Sequence, residues 1–240
     1  MGNALLKAAI FPKRLAPAKW DPIAENGVWL ERRRAENEQT SRIAVVCFHG
    51  NMEEASDALK QWDFIHPSAF DLKAYEYPGF GHRQEELVSM EAILSDIPVM
   101  LNDLIAYDVV IVCGRSLGTF AALQLAIKLE QKCGGLMLVS PMLTAVATQI
   151  PPPFHRALWC LDMLDNESAA PKLSANIPRA ITHGELDKVV PSSNGEALSK
   201  CFKPNAQFNL LQCGHNNLMH LESFKSHVSY LLDEWIYNIN

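Results

Sequence analysis

Apolar residues fall into short continuous runs in this chain, separated by stretches with an apolar stripe. Ile43-Ala44-Val45-Val46-Cys47-Phe48 and Val109-Val110-Ile111-Val112-Cys113 are apolar at every position, the pattern of a strand buried on both faces. Leu72 to Tyr77, Gly135 to Val139, Ile177 to Thr182 and Ala206 to Leu211 read as further strands. Gly27 to Arg33 reads as a first one, with Val28 and Leu30 on one face. Between the strands the period changes. Met90 to Ile105 places Ile93, Ile97, Met100, Leu101 and Leu104 on a helical stripe interrupted by Pro98. Thr119 to Lys132 is helical, and so is Ser193 to Phe202, with Ser192 or Ser193 as its cap. Leu218 to Ile239 is a long closing helix with Phe224, Val228, Leu231 and Trp235 inward. Glu53 to Phe64 is a helix opening on two acids, which suit the positive end of its dipole.

Strands alternating with helices at this spacing imply an α/β architecture: a mostly parallel sheet covered by helices on both faces. No repeat, linker or low-complexity segment divides residues 26–240, which are expected to form one domain large enough for a full core. One interruption lies between Ser140 and Asn176, stiffened by Pro151-Pro152-Pro153. An insertion after that strand falls over the carboxyl edge of the sheet, and this one is long enough only for a minimal lid. Phe154, Leu158, Trp159 and Met163 within it are the candidates to wall a groove. Residues 1–25 stand apart. Ala4 to Phe11 is apolar apart from Lys7, and Lys13, Arg14 and Lys19 follow, the reverse of the order in a secretory signal. The segment reads as packing on the body. The alternative is a weak peripheral membrane contact, which acylation of Gly2 would strengthen, although Leu6 stands where Ser or Thr is preferred.

Composition narrows the partners. A net charge of −6 with no basic face argues against nucleic acid. The one basic run, Arg32-Arg33-Arg34, is flanked by Glu31, Glu36 and Glu38 and reads as a solvated strand edge. Six cysteines show no C-x-x-C spacing, so reduced thiols in a cytoplasmic protein are the default, with neither zinc nor disulfides implied. No apolar stretch is long enough to span a membrane. Oligomeric state is open, with a monomer as default.

Chemistry enters at Gly114-Arg115-Ser116-Leu117-Gly118, between the central strand and its helix. In that context Gly-x-Ser-x-Gly forces its middle residue into a strained turn, and a Cβ on either glycine would collide where strand and helix nearly touch. A serine hydroxyl needs a base and an orienting acid. His215, behind Gly214 on the loop before the closing helix, is the candidate base. Asp187, just past the strand ending in Thr182, is the candidate acid; it could instead be a turn aspartate capping the next helix, and Glu185 lies close enough to substitute. His49 and His183, at strand ends, read as structural donors. The chain order Ser116, Asp187, His215 is that of α/β-hydrolases rather than of the chymotrypsin or subtilisin types. An oxyanion would take two backbone donors, the amide of Leu117 and that of Asn51 in the loop His49-Gly50-Asn51-Met52.

Phe48-His49-Gly50-Asn51, Tyr77-Pro78-Gly79-Phe80-Gly81, the serine motif, His183 to Pro191 and Gly214-His215-Asn216 together resemble the α/β-hydrolase superfamily. More narrowly they resemble its compact, nearly lidless branch, which includes serine-aminopeptidase-like hydrolases and eukaryotic protein depalmitoylases. The resemblance covers roughly residues 40 to 235. It implies acyl esters or thioesters as substrates, on small molecules or on proteins, no cofactor, and a Tyr77–Gly81 turn that lines the site without doing chemistry. Depalmitoylases carry a cysteine-rich amino terminus, whereas residues 1–40 here contain no cysteine; membrane delivery would then rest on Gly2. Three functions follow: a serine esterase or thioesterase, a peptidase using the same three residues, and a non-catalytic member binding a ligand or partner.

Overall fold

The computed structural model describes residues 27–32, 42–65, 70–145 and 164–237. Seven strands form one sheet: β1 (Trp29–Arg32), β2 (Ile43–Phe48), β3 (Asp71–Tyr75), β4 (Val109–Arg115), β5 (Cys133–Val139), β6 (Arg179–Gly184) and β7 (Gln207–Leu211). They lie in the order β1-β3-β2-β4-β5-β6-β7. The edge strand β1 pairs antiparallel with β3, and every other neighbouring pair is parallel. The helices among the described residues are α1 (Ala55–Gln61), α2 (Met90–Asp103), α3 (Gly118–Leu129), the single-turn α4 (Asn166–Ala169), α5 (Ser192–Cys201) and α6 (Glu222–Tyr237).

The continuous apolar runs have a simple cause. In β2, Ala44, Val46 and Phe48 join a core shared with α2 and α3, while Ile43, Val45 and Cys47 join a second core against α1 and α6. Successive side chains point to opposite faces, and both faces are covered, so no position along the strand is left for a polar residue. In α6, Phe224, Val228, Leu231 and Trp235 are all buried, as their spacing predicts.

Several boundaries differ from expectation for identifiable reasons. α1 starts at Ala55 rather than Glu53, because Glu54 is its cap: the Glu54 amide donates to Asp57 Oδ2 at 3.0 Å. Pro98 does not interrupt α2. It lies on the exposed face, where the carbonyl of Leu94 that loses its helical partner can turn to water. α5 begins at Ser192 with Pro191 as cap residue and no side-chain cap bond, so neither serine caps it. A short turn, Leu218–His220, precedes α6.

Strand order positions the site. From β2 the chain moves to β3 on one side, then crosses to β4 on the other. The loops leaving β2 and β4 therefore diverge and leave a crevice at the carboxyl edge, where α/β sheets bind ligands. Register brings those ends level, Phe48 opposite Gly114. After β5 the chain makes its excursion through a closed neck: Thr144 bridges Asp165, the Ala145 amide donates to the Leu164 carbonyl, and the Asn166 amide donates to that of Leu143, both at 3.1 Å. Phe154, Leu158, Trp159 and Met163 lie outside the described residues, as do residues 1–26 with Gly2. Among the described residues no helix is long and apolar enough to cross a membrane.

Candidate active site

Between β4 and α3 the backbone turns so sharply that Ser116 takes a φ of 49°, a left-handed conformation costly for a residue with a Cβ. Its surroundings hold it there. The Ser116 amide donates to the Val139 carbonyl at 2.8 Å, and its own carbonyl accepts from the Thr119 amide at 3.1 Å and from Thr119 Oγ1 at 2.6 Å. Asn166, beside the neck, donates through Nδ2 to Thr119 Oγ1 at 3.3 Å. Gly118 makes the turn possible: a Cβ there would sit 2.4 Å from the Phe48 carbonyl oxygen, so α3 starts hard against the end of β2.

His215 lies across the crevice from Ser116. Its Nε2 is 3.1 Å from Ser116 Oγ, placed to accept the hydroxyl proton, and its Nδ1 donates to Asp187 Oδ2 at 2.6 Å. Asp187 divides its two oxygens. Oδ1 accepts from the amides of Val189 and Val190, at 2.9 and 2.8 Å, and so fixes the turn after β6; Oδ2 is left for the imidazole. His183 Nε2, which donates to the Val190 carbonyl at 2.9 Å, also lies 3.4 Å from Oδ2. Burial alone would raise this carboxyl, but the hydrogen bonds from His183, His215 and Val190 outweigh it and hold it well below the usual carboxylate range. Glu185, the alternative acid, is instead hydrogen-bonded by Gln212 Nε2. Ser116, Asp187 and His215 are each over nine-tenths buried, so their contacts are shielded from competing water.

The loop after β2 borders the same crevice. His49 anchors it from both ring nitrogens, Nδ1 to the Gly50 carbonyl at 2.8 Å and Nε2 to Glu76 Oε1 at 3.0 Å, which fits its reading as a structural donor. Met52 follows with a φ of 61°, and its amide donates to Asn51 Oδ1 at 3.0 Å. Among the described residues, no protein acceptor takes up the amide of Asn51 or of Leu117. Tyr77 corrects the expectation of a residue lining the site. It is buried, its hydroxyl donates to the His49 carbonyl at 3.1 Å, and its ring meets that of His49 edge-on at 4.4 Å. It props the loop from beneath and does not present a surface to a ligand.

Two residues here escape a reading of motifs. Arg115 and Glu53 form an ion pair with Nη1 to Oε1 at 2.5 Å, next to the serine and under the β2 loop. A signal was present for Arg115: a charge closing an otherwise apolar strand must find a buried partner. Glu53 gave none, since an acid near a helix start has an adequate local explanation in the helix dipole.

The geometry can be set beside known proteins. A family model described as serine aminopeptidase, S33, matches residues 39–174, more than half of the chain. No curated protein sequence matches it. Similar solved structures include Est1E from Butyrivibrio proteoclasticus with ferulic acid bound, at 18% identity and a TM-score of 0.69 over 90% of this chain and 98% of that one. The monoacylglycerol lipase of Paleococcus ferrophilus matches at 15% identity and 0.63, over 88% and 98%. Mouse alpha/beta hydrolase domain-containing protein 10 matches at 17% and 0.61, over 88% and 94%. At these identities the likeness is one of fold.

Proposed function

Because the chain belongs to the serine aminopeptidase S33 family of α/β-hydrolases, we propose that it is a serine hydrolase cleaving acyl esters or thioesters through an acyl-enzyme. The observation that carries this reading is the unbroken line from Asp187 Oδ2 through both nitrogens of His215 to Ser116 Oγ. Ser116 Oγ attacks the substrate carbonyl carbon while His215 Nε2 takes its proton; Asp187 holds the productive tautomer and stabilises the imidazolium. The carbonyl oxygen, now negative, moves toward the amides of Asn51 and Leu117, which have no internal acceptor to give up. His215 then returns the proton to the leaving alcohol or thiol. Water repeats the sequence on the acyl-enzyme and frees the acid.

The family description favours a second reading, cleavage of peptides from their amino end. An aminopeptidase must hold a protonated amine, for which an unengaged carboxylate at the site mouth is the natural partner. Among the described residues the inward-facing carboxylates are engaged: Glu53 by Arg115, Glu76 by His49 and Asp187 by His215. That favours a neutral acyl group, on a small molecule or on a protein. Delivery to a membrane surface through residues 1–25 belongs to the same proposal.

Fluorophosphonate labelling tests the nucleophile. Wild type should label, and Ser116→Ala should not, with ester turnover falling about 10⁶-fold. Turnover of p-nitrophenyl esters of graded chain length, set beside aminoacyl anilides, tests the substrate class. Anilides cut faster than every ester would replace the first reading with the second, and a wild-type chain inert to probe and substrates alike would leave a binding protein.

A further inference from the structure

Proton transfer asks more of His215 than nearness to Ser116. Its ring must stay aimed, yet it stands in a turn between β7 and α6 rather than on a strand or helix. Its loop is held from below by Arg115, which is only 4% exposed. Arg115 Nη2 donates to the main-chain carbonyl of His215 and to Asn216 Oδ1, both at 3.2 Å, while Nη1 donates to Glu53 Oε1 at 2.5 Å.

Glu53 is a rigid anchor in its turn, accepting from the Gly50 amide at 2.6 Å and from Gln61 Nε2 at 2.8 Å. Burial would raise its carboxyl, but the Arg115 charge and the bonds from Gln61 and Gly50 outweigh that and lower it. Gly50 leaves room for the pair: a Cβ there would lie 2.7 Å from Arg115 Nη1 and 2.9 Å from Glu53 Oε2. The planar guanidinium reaches the acid and the His215 loop in one rigid fork, which an ammonium cannot reproduce.

We propose that Arg115 is a positioning residue for the hydrolytic reaction: anchored by Glu53, it fixes the main chain of His215 and thereby the line from the imidazole to Ser116. This rests on the reading of Ser116 as nucleophile and His215 as its base. Arg115 itself touches no reacting atom.

The test measures fluorophosphonate labelling rate, kcat and KM on p-nitrophenyl butyrate, and Tm. The proteins are wild type, Ser116→Ala, Arg115→Met, Arg115→Lys, His215→Ala and the double variant His215→Ala/Arg115→Met. Arg115→Met should lower kcat and the labelling rate about 10–10²-fold with KM almost unchanged, since a small misplacement of a reacting group costs that much. Arg115→Lys should retain Tm and still lose kcat. In the His215→Ala background, Arg115→Met should cost nothing further, because the group it acts through is gone. A full additional loss in that background, or a raised KM with intact kcat, overturns the proposal. If Arg115→Met does not fold, Arg115→Lys decides alone: unchanged kcat overturns the proposal, and lowered kcat at wild-type Tm supports it. Labelling that survives Ser116→Ala overturns the hydrolase reading and this inference with it. Labelling lost in Ser116→Ala but normal in the Arg115 variants overturns this inference only.

Discussion

The two ends of the sheet are made by the same strands and treat their polar groups in opposite ways. At the amino end a cavity of about 910 Å³ opens beside the starts of β4, β5 and β6, walled in part by Val109, Cys133, Ile177 and Trp235. It is roomy and holds a potential nucleophile in Cys133. Burial, however, pushes that thiol up to about 12, its Sγ faces the Gly135 carbonyl, and no histidine is among the residues lining the cavity. At the carboxyl end the nucleophile is a hydroxyl, intrinsically weaker, but an imidazole and an ionised carboxylate stand in line behind it. Volume does not make a site; convergence of groups whose protonation states complement one another does.

Breaking that convergence should give the largest effect. Asp187→Asn keeps the shape but offers His215 an amide where it needs an anion, so the wrong imidazole tautomer becomes accessible. Turnover of a p-nitrophenyl ester should fall about 10⁴-fold with KM little changed. A fall below about ten-fold would mean that the carboxylate only fixes its turn. Gly118→Ala should come next, because its Cβ would press on the backbone oxygens of Phe48 and His49 at 2.4 and 2.6 Å. Overpacking of this kind costs about 1–3 kcal/mol, read as a lower urea midpoint. Turnover should fall with it, since the same movement separates Leu117 from Asn51.

Acid sharpens the comparison more gently. The folded-state pKa of Asp187 is depressed below its unfolded value. Its contribution to stability is therefore present above about pH 4, the unfolded Asp range, and is lost as pH falls from there toward the folded value. Urea midpoints of wild type and Asp187→Asn should draw together between pH 4 and pH 2. A gap that stays constant across that window would contradict an ionised Asp187 in the folded state.

Much of this was legible in the chain because the relevant forces are local or periodic. β2 and β4 announce themselves, since burial on two faces keeps Ile43 to Phe48 and Val109 to Cys113 apolar at every position. Ser116 could be located because a strained elbow needs glycines at fixed offsets. What escaped is what depends on pairing between distant positions. The antiparallel sense of β1 is set by its neighbour β3, and nothing in Trp29 to Arg32 encodes it. Glu53 satisfies a helix-dipole argument yet turns inward to meet Arg115, 62 residues away, because a buried guanidinium outweighs a favourable end-of-helix charge. Tyr77 sits in a motif at the site, but which way its ring faces was decided by the carbonyl of His49.

The smallest effect comes from the two ends of one helix. Ser116, φ 49°, lies just before α3 and Glu130, φ 51°, just after it, and a positive φ at either suits glycine better. At Ser116 three hydrogen bonds hold the conformation and expose the hydroxyl to His215. At Glu130, which lines the amino-end cavity, the positive φ serves no contact at the candidate site. Glu130→Gly should relieve about 1–3 kcal/mol of strain and give back about 0.5–1 kcal/mol through the freer unfolded chain. The net gain is about 1 kcal/mol, a rise of about 2–4 °C in Tm, with ester turnover unchanged. Calorimetry of the variant checks the first and the ester assay the second. A lowered Tm would mean that the Glu130 side chain stabilises the amino end, and a changed kcat would mean that the two ends of α3 are coupled, so that the amino end of the sheet is not separate from the candidate site.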